Sequence, residues 1–309
     1  MTIRLGLLTT ANINAAVLDA RSGDAPFTVT AVGSRDPERA RAYAAEHGIE
    51  RAHGSYDDLL ADDALDAVYI ALPNALHHEW TMRALAARKH VLCEKPYSRD
   101  PRAVEEAHDA AGAAGLVLAE AYMWRHAAQT RLLLELLPKI GTVHAVHAAF
   151  FGILPRDNDV RFDVGLGGGA LLDLGCYCVS AARLVAGAEP DRVHGERTVG
   201  RGGVDEQFAG TLRFGDLLAT FACGFTSRDN HIDVYGAHGV ITVPHSFVNP
   251  PGVVVLDGDE HRVEPGNHYR AELDDFCAAV RGERAPLIAR DEMLGQARVL
   301  DALLRSVAA

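Results

Sequence analysis

The tripeptide Glu94-Lys95-Pro96 directly follows the apolar run His90–Cys93. A proline at 96 disfavours helical angles at the residue before it, so Lys95 is expected to be extended. A lysine partly withdrawn from water beside another positive charge has its pKa pushed down, which suits it to exchanging a proton with a hydroxyl. A second candidate set lies further along the chain. Asp173 and Tyr177 are four residues apart on an expected helix after Gly167-Gly168-Gly169, and that spacing puts them on one face. Aspartate, tyrosine and lysine together can hold and move a proton. Each also has an ordinary explanation: a solvated Glu-Lys pair, a helix cap at Asp173, core packing at Tyr177.

The elements that must carry these residues follow from the pattern. Apolar runs at Ile3–Leu8, Phe27–Val32, Ala67–Leu72, His90–Cys93 and Leu116–Ala121 read as strands. Between them, Asp36-Pro37 opens a helix that stops near Gly48, Ser55 caps Tyr56–Leu60, and Ala75–Arg88 and Pro101–Ala114 are helical. This alternation predicts a doubly wound parallel sheet of Rossmann type over residues 1–121. Beyond Ala121 helices are expected over Gln129–Leu137 and Ala170–Ala186, followed by strands Gln207–Phe214, Leu217–Phe225, His231–Tyr235, Val240–Val243 and Val253–Leu256. Gly215-Asp216 and Gly236 to Gly239 read as hairpin turns. Helices near Tyr269–Val280 and Asp291–Val307 end the chain. Residues 122–309 therefore read as an α+β domain with a mostly antiparallel sheet, its final helix free to pack back on the first domain.

In an open α/β sheet, ligands bind beyond the carboxyl ends of the strands. That rule selects Thr9–Asn14, Gly33–Asp36, Pro73–His78, Glu94–Pro96 and Glu120–His126. The first loop would cradle a pyrophosphate. It carries Thr9, Ala11, Asn12 and Ile13 where a dinucleotide fold usually has Gly-x-Gly-x-x-Gly. Ala11 is small enough for close approach, and Asn12 or Asn14 can begin the helix. At the second strand tip, Ser34-Arg35 stands where an NAD-binding acid is expected, and the fork of Arg35 suits a 2′-phosphate. The pattern favours NADP, with NAD as the alternative; Asp36 is better used as a helix cap. After the third long strand come Leu72, Pro73 and Asn74, the last placed to cap the next helix, with His77 and His78 in its first turn facing the ligand edge.

The formal net charge of −12 argues against nucleic acid or an anionic membrane as partner. No apolar run is read as long enough for a membrane helix, and the N-terminus reads as a strand rather than a secretory signal. Five scattered cysteines, Cys93, Cys176, Cys178, Cys223 and Cys277, fit reduced, buried thiols in a cytoplasmic protein, and no metal site is expected.

Taken together, Glu94-Lys95-Pro96, the segment Val68-Tyr69-Ile70-Ala71-Leu72-Pro73-Asn74 with His77, and Gly167-Gly168-Gly169-Ala170-Leu171-Leu172-Asp173-Leu174-Gly175 resemble the Gfo/Idh/MocA oxidoreductase family over essentially the whole chain. The resemblance implies a dinucleotide-binding domain, a C-terminal domain whose open sheet forms homodimers or homotetramers, catalysis by the lysine matching Lys95, and substrate binding by the acid matching Asp173. Two departures stand out. The glycine fingerprint is replaced, and Tyr177 occupies a position where inositol dehydrogenases commonly carry histidine. Tyr177, with the segments Ala121–His126 and Gly175–Ser180, is more similar to the dihydrodiol and NADP-dependent xylose dehydrogenase branch. Arg125 is a further substrate candidate, and Arg161, just before the glycine run, is a candidate substrate or nicotinamide contact. The expected activity is hydride transfer between a nicotinamide and a secondary alcohol or hemiacetal of a sugar or cyclic diol, with Tyr177 or Lys95 handling the proton. The rivals are a non-enzymatic NAD(P)-binding sensor and an enzyme that keeps and recycles bound NAD.

Overall fold

Ile3–Leu7 (β1) and Phe27–Gly33 (β2) form the first parallel pair in a computed structural model, which describes residues 1–154, 159–200 and 202–307. Helix α1 (Asn14–Ala20) joins them, and α2 (Pro37–His47) follows. The start and stop of α2 are local chemistry: Asp36 accepts the N–H groups of Glu38 and Arg39, and Gly48 closes the helix at φ 64°. Next come β3 (Arg51–His53), α3 (Tyr56–Leu60, capped by Ser55), β4 (Ala67–Ile70), α4 (His77–Ala86), β5 (His90–Glu94), α5 (Pro101–Ala114) and β6 (Leu118–Ala121). The six strands are parallel in the order β3-β2-β1-β4-β5-β6. The strand order reverses between β1 and β4, where a doubly wound sheet opens its ligand crevice.

The second sheet has eight strands. In chain order they are β7 (Val143–Phe151), β8 (Arg192–Val199), β9 (Asp205–Phe214), β10 (Leu217–Gly224), β11 (Asp229–Gly236), β12 (Gly239–Pro244), β13 (Val253–Leu256) and β14 (Asp259–Arg262). Their order is β14-β13-β12-β11-β7-β10-β9-β8, antiparallel throughout except for β7 with β10. Helix α6 (Ala128–Leu136) precedes this sheet, and α7 (Cys176–Ala186) supplies buried Val179, Ala181 and Ala182 to its core.

The chain divides into two compact units, Met1–Met123 with Tyr269–Leu294, and Trp124–His268 with Gly295–Ala309. The returning segment holds most of α8 (His268–Val280) and the first turn of α9 (Arg290–Ser306). Its Leu273, Phe276 and Cys277 join the same buried cluster as Leu5, Leu7, Val29 and Tyr69. Burying each such apolar side chain contributes roughly 1.5–3 kcal/mol, enough to hold the segment on the parallel sheet.

Several expectations need correcting. Strands β3, β7, β8 and β14 are additional to those read from the sequence. β3 is only three residues long, and β7 is rich in alanine and histidine, which signal strands weakly. Asn74 does not cap α4: it begins a one-turn 3-10 segment, Asn74–Leu76, behind Pro73. The expected helix from Ala170 begins with a π turn, Leu171–Gly175, so Asp173 and Tyr177 are not related by regular α-helical spacing. The stretch Val164–Ala186 is apolar and long enough, by length and composition, to cross a membrane, contrary to the reading that no run is; 78 % of its window is buried inside the protein, as a core helix should be. Its Arg183 is paired with Glu189 at 2.9 Å. All five cysteines are free and buried, and no group of metal-ligating side chains occurs among the described residues.

Candidate active site

In the first unit the strand-end loops are built tightly. Thr9 Oγ1 accepts the N–H of Ala11 at 3.0 Å, and the buried Asn14 amide donates to Thr9 O at 2.7 Å. These bonds shape the β1–α1 loop without the usual glycines. Asn12 lies in the turn, Ile13 packs against the sheet core, and Asn14 is the first residue of α1. At the tip of β2, Ser34 is buried and its Oγ accepts the N–H of Asp36. Arg35 is exposed, with no hydrogen bond or ion pair among the described residues. Because Asp36 is committed to capping α2, no carboxylate at this tip competes with a 2′-phosphate. The donor set therefore fits NADP better than NAD.

The Lys95 loop is held from several sides within the same unit. Tyr69 on β4 donates to Glu94 Oε1, and Glu94 Oε2 accepts the N–H of Lys95 at 3.3 Å. Burial, followed by the neighbouring Glu94, pushes the Tyr69 hydroxyl far above its ordinary pKa, so it stays a donor. The carboxylate of Glu120, on β6, accepts the N–H of Tyr97 at 2.6 Å. His78 meets the Tyr97 hydroxyl at 3.0 Å. His77 is fully buried, with Nδ1 3.0 Å from Pro96 O and Nε2 2.8 Å from Leu72 O. Desolvation lowers its pKa, partly offset by those two carbonyls. His77 thus does not face the ligand edge. It lies between the loop after β4 and the loop after β5, with a main-chain carbonyl against each ring nitrogen, and in the neutral ring one of the two carbonyls accepts its N–H. The Lys95–Pro96 peptide is cis. Glu272 on α8 is almost wholly buried, and its Oε1 has no partner among the described residues. Burial, with Glu94 and Asp275 nearby, raises its pKa strongly.

In the second unit Arg161 Nε donates to Asp173 Oδ2 at 2.9 Å, and its Nη1 donates to Asp159 at 3.2 Å. Asp173, first among its neighbours, raises the Arg161 pKa further. Asp173 is thus the partner of an arginine and not the cap of a helix. Gly168 and Gly169 allow this close turn. A Cβ at Gly168 would lie 2.3 Å from Arg161 O, and Gly169 sits at φ 118°. Tyr177 is 5 % exposed, with its ring edge-on to Phe150 at 5.2 Å and tilted against Phe247 at 5.5 Å. Arg125 is buried, its guanidinium 5.9 Å from the centre of the Trp124 ring. The structure thus joins Arg161 to Asp173, and Glu94 and Lys95 to Tyr69.

The sequence names Tyr69 and Glu120 only as members of longer segments, and it gives no role to Glu272 or Asp205. Tyr69 and Glu120 lie on strands of the parallel sheet among apolar neighbours, which was the available signal. Asp205 and Glu272 act across long sequence separations and left none.

The comparisons with known proteins agree with this architecture. Residues 5–122 match the model of the Gfo/Idh/MocA oxidoreductase family, NAD-binding Rossmann fold, and residues 138–242 match a Gfo/Idh/MocA C-terminal domain. The chain is 37 % identical to an NADP-dependent D-xylose 1-dehydrogenase of Haloferax volcanii over 97 % of its length and 96 % of the relative. It is 30 % identical to a trans-1,2-dihydrobenzene-1,2-diol dehydrogenase of Xenopus laevis, covering 90 % of this chain and 89 % of that one. Among solved structures, a 3-ketoreductase from Actinomadura kijaniata in complex with NADP and TDP-benzene superposes with a TM-score of 0.94 at 30 % identity, over 99 % of this chain and 98 % of that one. With both domains matched and whole-length relatives at this identity, the chain belongs to the Gfo/Idh/MocA oxidoreductase family.

Proposed function

We propose that the chain is an NADP-dependent dehydrogenase acting on a secondary alcohol or hemiacetal of a sugar or cyclic diol. The observation that carries this is the Lys95 loop: its main chain is fixed by Tyr69 through Glu94, by His77 and by Glu120, so a lysine is presented at a strand end of a dinucleotide-binding sheet. The NADP-dependent D-xylose dehydrogenase and the trans-1,2-dihydrobenzene-1,2-diol dehydrogenase among the relatives support the substrate class. Bound NADP would supply the hydride acceptor, held by Thr9, Ala11, Asn12, Ile13, Ser34, Arg35, Leu72, Pro73, Asn74, Glu94 and Lys95, with His77 shaping that pocket from beneath. As hydride leaves the carbinol carbon, the hydroxyl proton passes to Tyr177 or Lys95 and the carbon becomes a carbonyl. Asp173 orients the substrate hydroxyl with Arg161 beside it, and Arg125 contributes a further positive group.

Arg35 sets cofactor choice in this reading. Arg35→Ala is expected to raise KM for NADP by about 10- to 100-fold, the worth of a charge-assisted phosphate contact, while changing KM for NAD little. Steady-state kinetics with both cofactors check this; an unchanged NADP to NAD ratio would remove Arg35 from the cofactor site.

The reading also makes the enzyme a cytoplasmic homodimer or homotetramer. Leu218, Ala145, Tyr235 and Val240 form one row across β10, β7, β11 and β12, and Leu218, Tyr235 and Val240 are exposed. An exposed apolar row of this kind suits a self-complementary interface. Sedimentation equilibrium reads the stoichiometry, and a monomer at micromolar concentration contradicts it.

A further inference from the structure

Asp205 opens β9 as a carboxylate only 4 % exposed. Its Oδ2 accepts the N–H of Leu171, the first residue of the π turn, at 2.7 Å. A Cβ at Gly169 would stand 2.3 Å from its Oδ1, so the carboxylate lies directly on that glycine. It therefore grips the chain on both sides of Ala170. The same segment sets the substrate residues: Asp173 N–H donates to Gly169 O at 3.0 Å, and Gly169 N–H donates to Arg161 O at 3.0 Å. The Arg161–Asp173 ion pair is thus built on backbone that Asp205 fixes. We propose that Asp205 is a positioning residue, whose ionised carboxylate sets the turn carrying Asp173 and the helix start carrying Tyr177. This rests on the substrate roles given to Asp173 and Tyr177 above.

The groups around Asp205 make its charge matter. From the π turn it faces the N–H groups of Leu171 and Ala170; from β8, Arg197; from β10, the Cys223 thiol, which burial keeps protonated. Burial raises its pKa to about 6 against these attractions. Falling pH adds a proton to the carboxylate that accepts the Leu171 N–H, which makes it a weaker acceptor even though burial itself favours the protonated form. Activity should fall as pH drops through about 6. Stability follows the opposite sign: an acid whose folded pKa is raised contributes stability below its unfolded pKa and loses it as pH rises through the folded value.

The test compares wild type, Asp205→Asn and Arg197→Gln, reading kcat/KM for the sugar from pH 5 to 9, NADPH affinity by fluorescence, and Tm. Asp205→Asn should lower kcat/KM at pH 8 by about tenfold or more. It should also flatten the acid limb and leave NADPH affinity unchanged. Arg197 is exposed, so its replacement should leave the fold intact, and Arg197→Gln should move the limb to higher pH even if the Asn variant fails to fold. A limb that stays in place in both variants, or an equal loss at every pH with a lower Tm, overturns the proposal. If Asp173→Asn and Tyr177→Phe leave turnover untouched, the active-site reading itself fails instead.

Discussion

Replacing Lys95 by alanine is expected to lower kcat by about a thousandfold, the usual scale for a positioned acid–base group. The fold should survive. The loop is held by Tyr69 on the Glu94 carboxylate, His77 on Pro96 O and Glu120 on Tyr97 N–H, none of which uses the Lys95 side chain. Tm should therefore stay within about 2 °C of wild type. NADPH should still bind, because the β1 and β2 tips are untouched. Steady-state kinetics with scanning calorimetry measure both quantities. A kcat near wild type would remove Lys95 from the reaction, and a collapsed Tm would make its role structural.

Tyr177→Phe is expected to lower kcat by about a hundredfold, with a smaller change in KM. The substitution keeps the ring contacts with Phe150 and Phe247 and removes only the hydroxyl. A loss of turnover at constant Tm therefore reports proton handling. The double variant with Lys95→Ala tests whether the two residues act together. Groups that act as one unit lose much less together than the product of the single losses. Fully multiplicative losses would mean independent roles.

What could be read from the sequence was what local chemistry sets. The Asp36 and Ser55 caps, the Gly48 stop and the Pro101 start are recorded within a few residues of each helix end. The strand-end rule then selected Lys95 and Arg35 without any contact information. Long-range pairings left no such record. Asp205 reaches Leu171 across 34 residues and Gln129 caps Gly252 across 123, and nothing in the sequence near either end announces the partner. The π turn at Leu171–Gly175 was also silent, because one inserted residue barely disturbs the apolar pattern. That turn changes the relation of Asp173 to Tyr177 from a shared helical face to two positions set by a glycine-dependent loop. His77 shows the same limit. Its position at a sheet edge was legible; its complete burial between two carbonyls was not.

The most direct measurement is absorbance at 340 nm when purified protein is mixed with NADP or NAD and a panel of aldoses, inositols and dihydrodiols. The account predicts reduced-nicotinamide formation with at least one sugar or diol, faster with NADP than with NAD, and lost in Lys95→Ala. NADPH binding without turnover on any member of the panel, in either direction, would contradict it and leave a cofactor-binding sensor in its place.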